Sequence, residues 1–98
     1  MIESIARIIQ QATGYYDAAQ QRTQARDALG QAYLDWRAAT GTYGHIERNS
    51  PEWQAMMDAT TAEYQALKRA KRREHHCRTR LMQAVAAGKA ASAAGMEG

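Results

Sequence analysis

The chain has 98 residues, a formal net charge of +3 and 45% hydrophobic residues. Alanine supplies 21 of those hydrophobic residues, whereas isoleucine, leucine, valine and phenylalanine together supply only 10. This length excludes a multidomain protein. This composition excludes both a thick globular core and a β architecture. It favours long alanine-rich helices that contact each other along a narrow line of residues, which we call the seam.

The first predicted element is a long helix over residues 2 to about 40. Apolar residues recur near its start at steps of three and four: Ile2, Ile5, Ile9, Ala12 and Tyr16. The same rhythm then continues one residue out of phase: Tyr15, Ala18, Arg22, Ala25, Leu29, Ala32, Trp36, Ala39 and Tyr43. The change of phase falls near Gly14, which predicts either a stutter in the seam or a bend in the helix.

A loop over about 41–50 is the predicted connection. Gly41 fits the residue that follows a helix and adopts a left-handed conformation. Ser50, Pro51 and Glu52 match an N-cap, a proline at the first helical position and an acid in the first turn. The second helix is therefore predicted to begin at Pro51.

The second helix is predicted over about 51–87, followed by a low-complexity alanine and glycine tail over about 86–98 that should fray when isolated. Its predicted seam repeats as a heptad, although the middle of the series is charged: Trp53, Met57, Thr60, Tyr64, Leu67, Lys71, Glu74, Arg78, Leu81, Val85 and Gly88. The predicted fold is a single all-α domain, a long antiparallel, coiled-coil-like helical hairpin. Because each helix buries only one stripe, we expect self-association or docking on a partner to complete the fold.

Antiparallel pairing about this loop places residue i opposite residue 94 − i, to within a few positions. Ile5 and Ile9 would then face Val85 and Lys89. In mid-hairpin, Arg22 and Arg26 come opposite a charged part of the second helix that contains Lys71, Glu74 and Arg78. Since unpaired buried charge is costly, a solvated or Glu74-bridged polar layer is expected there.

Residues 68–80 hold seven basic residues and one acid. Four residues of this segment are predicted to lie directly opposite the seam: Arg69, Arg73, His76 and Arg80. Lys68 and Arg72 widen this outward basic ridge on one side. Such a ridge is either a surface for a polyanion or an acidic partner, or a solvated outer face. Binding to nucleic acid would rely on backbone contacts, since no helix-turn-helix, zinc-finger or basic-zipper context is present.

Two groups of apolar residues are candidates for binding a protein partner. Five aromatic residues belong to the loop half of the hairpin, where they either close the tip as core or form a docking end: Tyr33, Trp36, Tyr43, Trp53 and Tyr64. The other group is N-terminal: Ile2, Ile5, Ile8 and Ile9. Because Ile8 and Ile9 cannot both face one seam, one of them should contact another chain.

The sequence gives no support for an enzyme, a metal site, a cofactor or a small-molecule substrate. His75, His76 and Cys77 are consecutive, so on a helix they point about 100° apart and do not converge on one ion. Cys77 is expected to be a small packing residue beside the seam. We find no phosphate-binding glycine loop, no paired carboxylates in a pocket and no nucleophile with a base.

The resulting hypothesis is a non-enzymatic protein-binding or assembly protein, such as a small bacteriophage or bacterial structural, accessory or inhibitory factor. Its alternative is a non-specific nucleic-acid-binding protein that uses the basic face of the second helix. A single cysteine, the lack of a signal-like N-terminus and the lack of a membrane span predict a cytoplasmic location or a place within an assembly such as a virion.

Overall fold

The computed structural model describes the backbone of residues 2–97 and the side chains of residues 2–95. It contains three helices, α1 (Ile2–Thr40), α2 (Pro51–Ala59) and α3 (Thr61–Glu97), and no strand within residues 2–97. Helix α1 packs along α3 in a rod of 70 × 20 × 18 Å. The predicted all-α antiparallel helical hairpin is confirmed.

Helix α1 runs without interruption through Gly14, and its seam shows no stutter there. Its half-buried and buried residues keep one phase from end to end, at steps of four and three: Ser4, Ile8, Gln11, Tyr15, Ala18, Arg22, Ala25, Leu29, Ala32 and Trp36. The predicted first part of the seam is therefore wrong. Ile2, Ile5, Ile9, Ala12 and Tyr16 lie on an exposed face of α1 instead.

The loop between α1 and α2 begins and ends with a helix cap that can be recognised in the sequence. Gly41 has a φ of +69°, and the Thr42 amide donates to the Arg37 carbonyl at 3.0 Å, which closes α1 as a glycine cap. Helix α2 begins at Pro51, and the Ser50 hydroxyl accepts a hydrogen bond from the Trp53 amide at 3.2 Å. Both caps match the prediction from sequence.

Thr60 separates α2 from α3, a break that the heptad pattern does not predict. Its side chain is 2% exposed, and its hydroxyl donates to the Met56 carbonyl at 2.8 Å. The Thr60 φ of −112° and ψ of 18° displace the chain from helical geometry for one residue. Helix α3 then resumes, since the Tyr64 amide donates to the Thr60 carbonyl at 3.0 Å, and it extends to Glu97.

The buried face that runs from Thr60 along α3 differs from the predicted face at three positions. Six seam residues are buried or half-buried as predicted: Thr60, Leu67, Glu74, Leu81, Val85 and Gly88. Glu63, Ala70 and Cys77 lie on the seam in place of the predicted Tyr64, Lys71 and Arg78, which are exposed, and Ala84 is buried beside Val85. The observed face keeps Lys71 and Arg78 in water and offers the small Ala70, Cys77 and Ala84 side chains to α1, which lets the helices approach closely. It also brings Glu63 to the seam, where the Oε2 atom is buried without a hydrogen-bond partner among the described residues, a cost that the predicted Tyr64 would not carry.

Large buried side chains are few in the described part of the chain. The buried apolar residues are Ala18, Leu29, Met56, Leu67 and Ala84. At the open end, Ile8 lies over Gly88 so closely that a Cβ atom at position 88 would come within 2.9 Å of the Ile8 Cδ1 atom. Ile8, rather than Ile5 or Ile9, therefore faces α3, and its partner is Gly88 rather than Val85 or Lys89.

Two helical glycines lead to opposite expectations for substitution by alanine. A Cβ atom at Gly30 meets no atom within 4 Å, so Gly30→Ala should raise the free energy of unfolding by about 0.5–1 kcal/mol through helix propensity. Gly88→Ala should gain less or lose stability, because its Cβ atom displaces Ile8. Urea denaturation of both variants measures the difference, and equal gains would contradict the close approach at Gly88.

Candidate functional site

A continuous groove runs along one side of the rod between α1 and α3. Near the open end it is lined by Arg7 and Gln11 of α1 and by Arg80 of α3. Gln11 and Arg80 also line the next stretch, which continues past Arg73 and Arg69. The latter two arginines line a third stretch beside α1 residues 21–25. We call this feature the basic groove, defined by Arg7, Arg69, Arg72, Arg73, His76 and Arg80.

The predicted position of the basic ridge, opposite the seam, is wrong. Ala70, Cys77 and Ala84 face α1 in the structure. The side of α3 that contacts α1 therefore lies closer to the ridge residues than the predicted seam does. Arg69 and Arg80 therefore border the contact with α1 instead of projecting away from it. Five of the six predicted ridge residues line the groove: Arg69, Arg72, Arg73, His76 and Arg80.

Lys68 differs from the other predicted ridge residues. Its ammonium lies over the ring of Tyr64, 5.7 Å from the ring centroid, in a cation–π contact. On a helix, the Tyr64 and Lys68 positions lie one turn apart on one flank, away from Arg69 and Arg73. Lys68 thus belongs to the opposite flank of α3.

The α1 wall of the basic groove contributes residues that the charge pattern of the second helix does not reveal. Arg7 adds a further guanidinium, and its place near Ala87 follows from antiparallel pairing. The remaining polar wall residues are glutamines: Gln10, Gln11, Gln21 and Gln24. Their amides both donate and accept hydrogen bonds and carry no charge that would oppose an anion.

Two side-chain contacts between α1 and α3 involve charged residues in or beside the basic groove. The Arg73 guanidinium donates from Nη1 to the Gln21 Oε1 atom, which holds Arg73 against α1. The Arg22 Nε atom donates to the Glu74 Oε2 atom at 2.7 Å in a largely buried ion pair. The expected Glu74-bridged polar layer is confirmed. Since Glu74 is the single acid of residues 68–80 and is paired inside the seam, it does not offset the arginines of the groove.

A second surface lies on the side of α1 away from α3. Ile2, Ile5, Ile9 and Tyr16 are between 51% and 84% exposed there, and Ala12 is exposed between them. We call these five residues the outer stripe. Of the four N-terminal isoleucines, Ile8 alone belongs to the hairpin interface.

The aromatic residues of the loop half divide into two groups. Tyr33, Trp36 and Trp53 are half-buried, whereas Tyr43 and Tyr64 are exposed, with Tyr43 at 73%. Burial, with a smaller contribution from Tyr64, raises the pKa of the Tyr33 phenol, and a hydrogen bond with Thr60 partly opposes that rise. These contacts favour a structural role for Tyr33, and Tyr43 is the most open aromatic side chain of this group.

No group of three metal-ligating side chains converges among the residues that the structure describes. The His75 and His76 rings meet edge to face with centroids 6.1 Å apart, and Cys77 lies half-buried on the seam. The Arg78 Nη2 atom is 3.4 Å from the His75 Nδ1 atom. Among residues 2–97, no helix has the combination of length and apolar character needed to cross a bilayer.

Comparisons of the chain with protein-family models, with curated proteins and with solved structures found no match. The basic groove and the outer stripe are therefore interpreted from their own geometry and chemistry.

Proposed function

We propose that this protein is a non-enzymatic assembly protein that associates with a second copy of itself through the outer stripe of α1. One observation carries the proposal. The helix face turned away from α3 bears Ile2, Ile5, Ile9 and Tyr16, all substantially exposed, along one line. Contiguous exposed apolar side chains on a small protein are characteristic of an interaction surface.

The spacing of the outer stripe favours a helix as its occupant. Its residues follow one another at steps of three, four, three and four, the repeat that places side chains on a seam between two helices. A second copy supplies such a helix with the same stripe. In a two-fold pair, stripe residues would meet stripe residues whether the two α1 helices run parallel or antiparallel, with Ile9 at the centre.

The distribution of large side chains supports the same proposal. The outer stripe contains four large apolar residues, whereas the buried apolar residues of the described hairpin include only three, Leu29, Met56 and Leu67. Burying an isoleucine or a comparable side chain contributes about 1.5–3 kcal/mol. Pairing two outer stripes would therefore add substantially to the few large apolar side chains that each hairpin buries fully.

A paired rod of this kind suits a repeated structural or accessory component of a larger assembly. Its composition and size fit a small bacteriophage or bacterial factor that acts in the cytoplasm or within a particle such as a virion. An inhibitory factor that covers a helix of another protein would use the same stripe. The decisive property in each case is association through α1.

Sedimentation equilibrium at about 1–50 µM tests this proposal, because association depends on concentration. The wild-type protein should give twice the chain mass of 10.9 kDa. The double variant Ile5→Asp and Ile9→Asp should sediment as a monomer, since two charges would be buried in the pair. Both side chains are exposed in the single chain, so the hairpin should keep its helical circular dichroism.

The matched control is Met82→Asp with Ala86→Asp, which adds the same two charges to exposed positions on α3. It should keep the dimer mass. A wild-type monomer throughout this range, or equal dissociation of the control, would contradict the proposal. Ile9→Cys in a Cys77→Ala background should also form a disulfide-linked dimer on mild oxidation, whereas Ala90→Cys in that background should not.

A further inference from the structure

We propose that the basic groove binds the phosphate backbone of double-stranded nucleic acid without sequence preference. This inference does not depend on self-association through the outer stripe. Consecutive helix residues point about 100° apart, so Ile9 of the stripe and Gln10 of the groove face different directions. The two surfaces can therefore be occupied and tested separately.

The charge of the basic groove is concentrated in arginine. Arg7, Arg69, Arg72, Arg73 and Arg80 line it, and no aspartate or glutamate does so along the three stretches from Arg7 to Gln24. A guanidinium presents planar donors that match two phosphate oxygens at once, which a lysine ammonium does not. The groove thus presents five phosphate-binding groups. One carboxylate, that of Glu3, lies in the adjoining depression at the open end, which shares Arg7, Ala84 and Ala87 with the groove.

The spacing of these arginines fits a linear polyanion. Arg69, Arg73 and Arg80 follow one line of α3 over about 16 Å at 1.5 Å per residue. The hydrogen bond from Arg73 to Gln21 holds one of these guanidinium groups against α1 before any ligand binds. Such an array neutralises several phosphates of one strand and releases their counterions.

The lining between the arginines distinguishes nucleic acid from an acidic protein. A protein interface depends on large anchoring side chains, but the apolar lining of the groove is small throughout: Gly14, Ala25, Ala66, Ala70, Cys77, Ala84 and Ala87. The glutamines can donate hydrogen bonds to phosphate and sugar oxygens, as side-chain amides do in protein–DNA interfaces. We therefore assign the groove to a nucleic-acid backbone.

The lining also distinguishes a duplex from a single strand. Proteins that hold single strands combine positive charge with aromatic side chains on which the bases stack. No phenylalanine, tyrosine or tryptophan lines the three described stretches of the groove. A duplex stacks its bases internally and needs backbone contacts alone.

The test is fluorescence anisotropy with a labelled DNA duplex of about 24 base pairs at about 50–200 mM salt. With about five phosphate contacts, log K for the wild type should fall against log salt with a slope of about −4.5. The triple variant Arg69→Glu, Arg73→Glu and Arg80→Glu should bind about 100-fold more weakly at the lowest salt, with a slope near −2.

The control variant Lys68→Glu, Lys71→Glu and Arg78→Glu makes the same change in net charge on the other flank of α3, where all three residues are exposed. It should retain most of the wild-type affinity and slope. Circular dichroism and sedimentation verify that both triple variants keep the fold and oligomeric state of the wild type.

Several outcomes would overturn the inference. The wild type would not bind the duplex at about 50 mM salt, or the control triple variant would lose as much affinity as the groove variant. Tighter binding of a single strand of the same length would assign the groove to a single strand. Displacement of the duplex by poly-glutamate at an equal charge concentration would assign it to an acidic protein.

Discussion

Leu67→Ala should lower the free energy of unfolding by about 2–4 kcal/mol. Leu67 is 8% exposed and lies on the seam of α3, where it is one of three large buried apolar residues of the described hairpin. A small domain has a total stability of about 5–10 kcal/mol, so this loss is a large fraction of it. Urea denaturation at a fixed protein concentration measures the change.

Leu34→Ala is the matched control, because it removes the same atoms from a side chain that is 61% exposed. Its effect should stay within about 0.5 kcal/mol. If the two alanine variants lost similar stability, Leu34 would be buried in solution and the described face of α1 would be covered. If neither variant lost stability, α1 and α3 would not pack as the structure shows.

The Arg22–Glu74 pair supports a second prediction of large effect. Glu74→Ala should lower the free energy of unfolding by about 1–2 kcal/mol, because Arg22 would lie unpaired in the seam. Arg22→Leu combined with Glu74→Leu should instead raise it by about 1–3 kcal/mol, since well-packed apolar side chains often exceed a buried ion pair in stability.

Thermal and urea denaturation of the two single leucine variants and the double variant form a double-mutant cycle. The singles should be destabilised and the double should not, which gives a coupling energy of at least about 1 kcal/mol. Additive effects would contradict a direct contact between Arg22 and Glu74. The stability of the Glu74→Ala variant should also respond less to added salt than that of the wild type.

The hairpin and its caps could be predicted because their signals are local. Gly41 ends α1 through its own positive φ, and Ser50 with Pro51 begins α2 through one hydroxyl and one fixed ring. Thr60 could not be predicted in this way. Its hydroxyl competes for the Met56 carbonyl, and whether that contact interrupts a helix depends on burial that the heptad pattern does not encode.

The seam of α1 was predicted in the correct phase from Tyr15 to Trp36, but the phase of its first part could not be predicted because that part of α1 carries two stripes at helical spacing. Periodicity identifies both stripes but does not determine which one contacts α3. The large Ile5 and Ile9 side chains favoured the wrong choice. The structure instead extends the correctly predicted phase of Tyr15 and Ala18 back to Ile8, and places Gly88 under Ile8, because small residues allow a close approach of the helices.

The candidate site was predicted in composition but not in position. Arg69, Arg73 and Arg80 are evident from the charge of residues 68–80. Their place beside α1 depends on which residues of α3 form the seam. Because three alternate seam positions lie one residue earlier than predicted, the observed buried face of α3 is rotated there by about 50° from the predicted one. Arg7 joins them through antiparallel pairing, although it lies more than sixty residues away in sequence.

The Arg22–Glu74 pair also helps to set the register of α1 relative to α3 along the rod axis. The alanine and glycine positions of this seam tolerate a shift of one heptad better than the large Ile8, Leu29 and Leu67 side chains do. Such a shift would place Arg22 opposite Leu67 or Leu81 and leave both charges without a partner. Together with the fit of Ile8 over Gly88, the ion pair therefore favours one alignment of the rod, and with it the arrangement in which Arg7 and Arg80 line the same groove.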